Sequence, residues 1–212
     1  MRRVNIQRQS DRRTEILDAA ERCFARCGFH QASMQEICAE AGMSPGNLYR
    51  YFPSKEALIA GISERNRAEA VASFADVAAA PDFFTGLAEL ARHHLVDRSD
   101  AEIGLCAEIM AESRRNPDVA RLYQEIEIDI KDRIAAMLRG AVERGEIRAD
   151  LDVEAAAMVL LVLGDGMSWR RAVEKSFDAE HVLPMILKMV HCLLAKPEER
   201  AAKSAESGET AQ

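Results

Sequence analysis

Apolar residues along this chain return at intervals of three and four, the spacing of one helical face. Ile16, Ala20, Cys23, Phe24 and Cys27 form the first such stripe, which predicts a helix from about Asp11 that Gly28 stops. Ser33 and Glu36 form a capping-box pair ahead of Met34, Ile37, Cys38 and Ala41, a second and shorter helix that turns at Gly42. Ser44-Pro45 then starts a third, with the Ser hydroxyl expected to accept from the first free N–H groups, and Phe52-Pro53 closes it. Ser54 opens a longer helix through Leu58, Ile59 and Ile62 to about Val77, and Pro81 breaks the chain after it.

Beyond Pro81 the pattern predicts further helices over roughly 82–96, 100–115, 117–145, 152–175 and 179–195. One stretch competes. Glu125 to Ile130 alternates strictly, a strand signal, yet Leu122, Ile126, Ile130 and Ile134 keep four-residue spacing with no turn residue between Pro117 and Gly140. Glu127/Lys131 and Asp129/Arg133 add i,i+4 pairs, so helix is the reading, with Ile128 left on the polar face. Residues 1–10 lack periodicity and are expected as a flexible basic arm, and 197–212 as a disordered tail.

Composition narrows the class. The 212 residues are 48% apolar, 30% charged and only 5% aromatic, which excludes wholesale disorder and disfavours a β-sandwich. The longest apolar run, Ala155 to Gly164, is too short to span a bilayer, so no membrane partner is expected. With no apolar segment behind the Arg-rich start and an odd count of five cysteines, a reduced, cytoplasmic chain is expected. Charge is uneven. The formal net is −7, yet residues 1–60 carry +2 and residues 1–13 carry +4, as expected if only that end meets a polyanion.

Two short helices joined across Ala41-Gly42-Met43 and braced by a preceding one have helix-turn-helix spacing. On the second, Asn47 and Arg50 lie at i,i+3 with donors suited to base edges or phosphates, and Tyr49 adds a hydroxyl. A purely structural role stays open for Tyr49, Tyr51 and Phe52, as does a solvated charge for Arg50.

Arg13 to Leu58 resembles the DNA-binding domain of TetR-family (tetracycline-repressor-like) transcriptional regulators. The resemblance rests on Ile16-Leu17, Ala20, Phe24, Gly28-Phe29, Ile37-Cys38-Ala39, Ala41-Gly42-Met43-Ser44 and above all the run SPGNLYRYFPSKEAL from Ser44 to Leu58. It implies an all-α fold, with an N-terminal three-helix helix-turn-helix DNA-binding domain over 11–56 and a larger helical domain over 57–196 for effector binding and dimerisation. It also implies a homodimer that places the helix at about Pro45 to Tyr51 into successive major grooves of a palindromic double-stranded DNA operator, with half-sites ~34–36 Å apart. Carried over by position, Ser33, Gln35 and Lys55 look like phosphate contacts, while Ser44, Asn47, Tyr49 and Arg50 would approach bases or backbone. Family members often carry Thr where this chain has Asn47, which leaves open the base that it reads.

The last helix (Val182 to Leu194) and the all-round apolar Ala155 to Leu163 have more apolar face than one packing contact needs, independently suggesting a four-helix interface with a second copy. A small-molecule effector of unknown identity is expected among Phe74, His94, Glu108, Met110, Tyr123 and Trp169, the bulky and polar side chains of the middle helices, although ordinary core packing explains each of them too. Cys23, Cys27 and Cys38 occupy apolar positions, and His93 and His94 diverge by ~100° on a helix, so no metal and no cofactor are assigned. HExxH, GxSxG, Walker and dinucleotide patterns are absent, which disfavours an enzyme built on the C-terminal bundle. The leading reading is therefore a ligand-responsive repressor. The alternative is a small-molecule-binding interaction protein whose helix-turn-helix is scaffold only.

Overall fold

The computed structural model describes residues 2–197, without the side chains of 2–10 and 67–70. Every regular element among them is helical: α1 (Arg2–Gln31), α2 (Met34–Glu40), α3 (Pro45–Tyr51), α4 (Lys55–Ala79), α5 (Phe83–Arg92), α6 (Asp100–Ser113), α7 (Pro117–Glu143), α8 (Val153–Val173) and α9 (Ala179–Leu194). A π-helical turn over His93–Asp97 follows α5.

Local signals account for most boundaries. Gly28 takes φ 75° and ψ 158°, a left-handed conformation that breaks α1 before one more turn. Ser33 and Glu36 complete the capping box in both directions, the Glu36 N–H donating to Ser33 Oγ at 3.2 Å and the Ser33 N–H to the Glu36 carboxylate at 2.7 Å. The alternating stretch lies inside α7, where Arg133 holds Asp129 at 2.9 Å and Ile128 stands 60% exposed. Lys131 of the other expected pair also reaches Glu154, at 3.5 Å.

Two expectations need correcting. Helix α1 begins at Arg2, so the backbone of 2–10 is helical where the sequence lacks apolar periodicity. Ser44 caps α3 without its hydroxyl: the Asn47 and Leu48 N–H groups donate to the Ser44 carbonyl, at 3.0 and 3.1 Å. Pro45 already removes one orphan donor, so the cap needs less side-chain help. The expected tail beyond 197 lies outside the described residues.

The chain divides into two compact units, a grouping that does not coincide with a boundary at 56/57. The first contains the helix-turn-helix, α4 to Ala70, and Ser99–Ile126; the second runs over Val71–Arg98 and onward from Glu127. In the first, Ile16, Leu17, Phe24, Phe29, Ile37, Leu48, Phe52, Leu58 and Ile62 pack with Leu105, Ile109 and Val119. In the second, Val77, Phe83, Leu87, Ile134, Leu138, Ile147, Val190 and Leu194 make the main core. Ion pairs fasten the first unit: Arg22 and Arg26 of α1 both reach Glu40 of α2 at 2.8 and 3.3 Å, and Arg65 of α4 reaches Asp18 and Glu21 of α1 at 2.6 and 2.5 Å.

Gly61 marks the tightest packing in this unit. A Cβ there would lie 2.8 Å from a Phe52 ring carbon and 2.9 Å from Leu17 Cδ2, whereas one at Gly104 would meet nothing within 4 Å. Gly61→Ala is therefore expected to lower the melting temperature, because an overpacking cost of ~1–3 kcal/mol outweighs the ~1 kcal/mol gained in helix propensity. Gly104→Ala, which gains propensity alone, should raise it.

Candidate functional site

Helix α3 is only seven residues long, and its faces divide cleanly. Leu48 is fully buried, Phe52 at its end almost so, and Tyr51 packs half-buried against the same core. The remaining faces point away from that core: Tyr49 is 50% exposed, Arg50 and Ser44 are exposed, and Asn47 is half-buried. No side chain among the described residues engages Ser44, Asn47 or Arg50. Tyr51 and Phe52 are thus anchors, while Tyr49 belongs with the outward set.

The expected phosphate contacts of the neighbouring helices are more constrained. Gln35 is exposed at the first turn of α2. Ser33 is exposed too, but its hydroxyl both receives the Glu36 N–H and donates to the Glu36 carboxylate at 2.8 Å. Those bonds hold Glu36 below its ordinary pKa, the Ser33 backbone N–H contributing most, and keep an anion beside the helix start.

Lys55 is half-buried. Its ammonium donates to the carbonyls of Phe29 at 2.7 Å and His30 at 3.1 Å, and lies 4.6 Å over the Phe29 ring. Two of its three donors thus close the end of α1, leaving one for a phosphate. The basic count of the first 60 residues overstates the positive surface in the same way. Arg22 and Arg26 share the one carboxylate of Glu40, Arg12 pairs with Glu15, and Arg13 lies 4.4 Å over the Phe52 ring.

The expected effector residues are divided between the two units. Glu108 belongs to the first unit, where its carboxylate accepts the Phe29 N–H at 3.1 Å and would lie 3.0 Å from a Cβ at Gly28. It fastens α6 to the end of α1. Tyr123 packs on the core of that unit and Met110 is half-buried in it. Phe74 and His94 lie in the second unit, their rings stacked at 6.5 Å. Trp169, also in the second unit, is 45% exposed on α8.

His94 sits in the π-turn; its Leu95 and Val96 carbonyls, and that of Arg98 just after it, accept from the Arg171 guanidinium at 3.0, 3.0 and 2.9 Å. Burial, then His93 and Arg98, push the imidazole down to about 4. Sequence reasoning missed the Lys55, Glu108 and Arg171 clamps. Their partners are 26, 79 and up to 76 residues away, beyond any local spacing signal.

Comparisons with known proteins agree with this architecture. The family model for bacterial regulatory proteins of the tetR family matches residues 16–62, and that for the C-terminal part of BetI-type transcriptional repressors matches 87–195. The HTH-type transcriptional regulator UidR of Escherichia coli K12 is 37% identical over 155 residues, 73% of this chain and 79% of that protein. The HTH-type transcriptional repressor Rv1474c of Mycobacterium tuberculosis is 28% identical over 181 residues, covering 81% and 88%. Among solved structures, Salmonella enterica GusR superposes with a TM-score of 0.75 at 37% identity, covering 87% of this chain and 95% of that one. The chain belongs to the TetR family of bacterial regulatory proteins and is a DNA-binding transcriptional regulator. No helix among the described residues is long and apolar enough to cross a membrane.

Two measurements test these assignments. Lys55→Met leaves two carbonyls without their partner and is expected to destabilise the protein by ~1–3 kcal/mol, seen as a lower midpoint in urea unfolding at unchanged m-value. For His94 the unfolded side chain takes up a proton near pH 6.5 and the folded one only near 4. The unfolded state therefore binds the extra proton, and stability falls as pH drops through that window, by at most ~1.4 kcal/mol per unit. Below about pH 4 the loss should level off. In a pH series of melting curves, His94→Phe should lack this component.

Proposed function

We propose that the protein is a ligand-responsive repressor whose apo dimer occupies a palindromic operator and is released by a small molecule. The observation that carries the DNA half of this reading is the split of α3: Leu48 and Phe52 lock the helix to the core and turn Tyr49 and Arg50 outward. In this reading Ser44, Asn47, Tyr49 and Arg50 approach bases or backbone in the major groove. Gln35, Ser33 and the remaining donor of Lys55 meet phosphates. In this reading residues 11–56 form the DNA-binding part, and 57–196 serve effector binding and dimerisation, in the cytoplasm and without turnover of the bound molecule.

The dimer is supported by an uncovered apolar face. On α8, Met158, Val162, Trp169 and Val173 follow one another at helical spacing, with Val162 59% exposed, and on α9 Met185 and Met189 are 62% and 57% exposed. Contiguous apolar faces of this kind mark association sites, and α8 and α9 of two copies make a four-helix contact. Trp169 accordingly belongs to the subunit interface, and Glu108, Met110 and Tyr123 to the first unit's packing. Phe74 and His94 remain as effector-facing residues. A coupling of ~1–3 kcal/mol between effector and operator sites would weaken DNA binding about 5- to 150-fold.

The reading is tested on fragments that the protein selects from its own genome. Asn47→Ala and Arg50→Ala should each weaken binding of the selected fragment about 5- to 150-fold, the equivalent of ~1–3 kcal/mol per bidentate contact, with unchanged melting temperature. Wild-type affinity in both variants contradicts the assignment.

A further inference from the structure

The Nε2 atom of His94 is shut off from solvent and has no hydrogen-bond partner among the described residues. Arg171 satisfies two carbonyls of the π-turn and that of Arg98 after it, and Arg92 is held by Glu180 at 2.6 Å and by Asp97 at 3.5 Å. His93 lies edge-on to the His94 ring at 4.9 Å. An unpaired buried polar atom costs ~1–3 kcal/mol, and π-turns, which are rare, concentrate at functional sites. Two unusual features thus coincide at one side chain, in the unit that also holds Phe74.

We infer that His94 Nε2 is the hydrogen-bonding anchor of the effector site and takes the hydroxyl of a small, uncharged molecule whose remaining body is apolar. The inference rests on the ligand-responsive reading above and names the ligand chemistry of that site.

Three observations choose the class. The imidazole is neutral at physiological pH because burial disfavours its charged form, so it offers no counter-charge to a carboxylate or phosphate. Arg98 raises the local potential, which disfavours a cation, and its own charge is already engaged elsewhere. The flank is apolar and aromatic: Phe74 stacks on the ring, and Leu95 beside it packs with Met167 and Leu183 of the second unit. A neutral Nε2 in such surroundings forms one hydrogen bond with a hydroxyl, which can donate or accept to suit either tautomer, and the apolar body of the ligand stays dry against the rings.

The test uses the full chain, with 15N-labelled histidine, titrated with para-cresol and with toluene, which has nearly the same shape and no hydroxyl. Para-cresol is expected to move the His94 Nε2 resonance and to bind about tenfold more tightly than toluene, the equivalent of one hydrogen bond. In His94→Phe the two probes should bind equally. An unmoved resonance, equal binding by the wild type, or a para-cresol preference that persists in His94→Phe overturns the inference. Should His94→Phe fail to fold, the wild-type resonance and the cresol-to-toluene ratio decide without it.

Operator release is read separately, with a metabolite extract of the host cells. Para-cresol bound at His94, together with no release by the extract, would sink the ligand-responsive reading and leave the His94 site standing. Release by the extract that is equal in wild type and His94→Phe preserves that reading and overturns the anchor.

Discussion

A seven-residue helix has no stability of its own in water, because the cost of nucleating it exceeds what so few hydrogen bonds return. Helix α3 exists because Leu48 and Phe52 are buried in a core built by α1, α2, α4, α6 and α7. That dependence fixes orientation as well as existence. With those two side chains held inward, the 100° step per residue turns Tyr49 and Arg50 away from the core. The face proposed to meet DNA is thus a consequence of the face that is buried.

Polar clamps then define how rigid that platform is. The α1 chain reverses at Gly28 in a conformation open to glycine, and the peptide after it is held from both sides: Glu108 accepts the Phe29 N–H, and Lys55 donates to the Phe29 and His30 carbonyls. Charged groups are used where neutral ones would make weaker bonds. The same economy withdraws part of this unit's basic complement from a polyanion. Arg22 and Arg26 hold α2 through Glu40, and Lys55 holds the end of α1.

The second unit shows a different balance. Its core is apolar and continuous, yet α8 and α9 leave large apolar side chains uncovered, and α5 ends in a π-turn that strands an imidazole nitrogen. Neither feature stabilises an isolated chain. The proposals above give each a rationale, a second copy for the first and a small molecule for the second.

By itself the sequence determined the helical class, nearly every helix boundary and the helix-turn-helix, because caps, glycine breaks and three-to-four spacing are local and read in a window of a few residues. Ser33 with Glu36, Gly28, and Asp129 with Arg133 were legible on those grounds. Only the tertiary structure decided that Glu108 fastens α6 to the end of α1, that Trp169 stands on an exposed stripe, and that Lys55 is half committed to carbonyls. The physical reason is sequence separation. A side chain's role follows from which buried donor or acceptor lies within hydrogen-bond reach, and partners that are 26 or 79 residues apart meet only once the helices have packed.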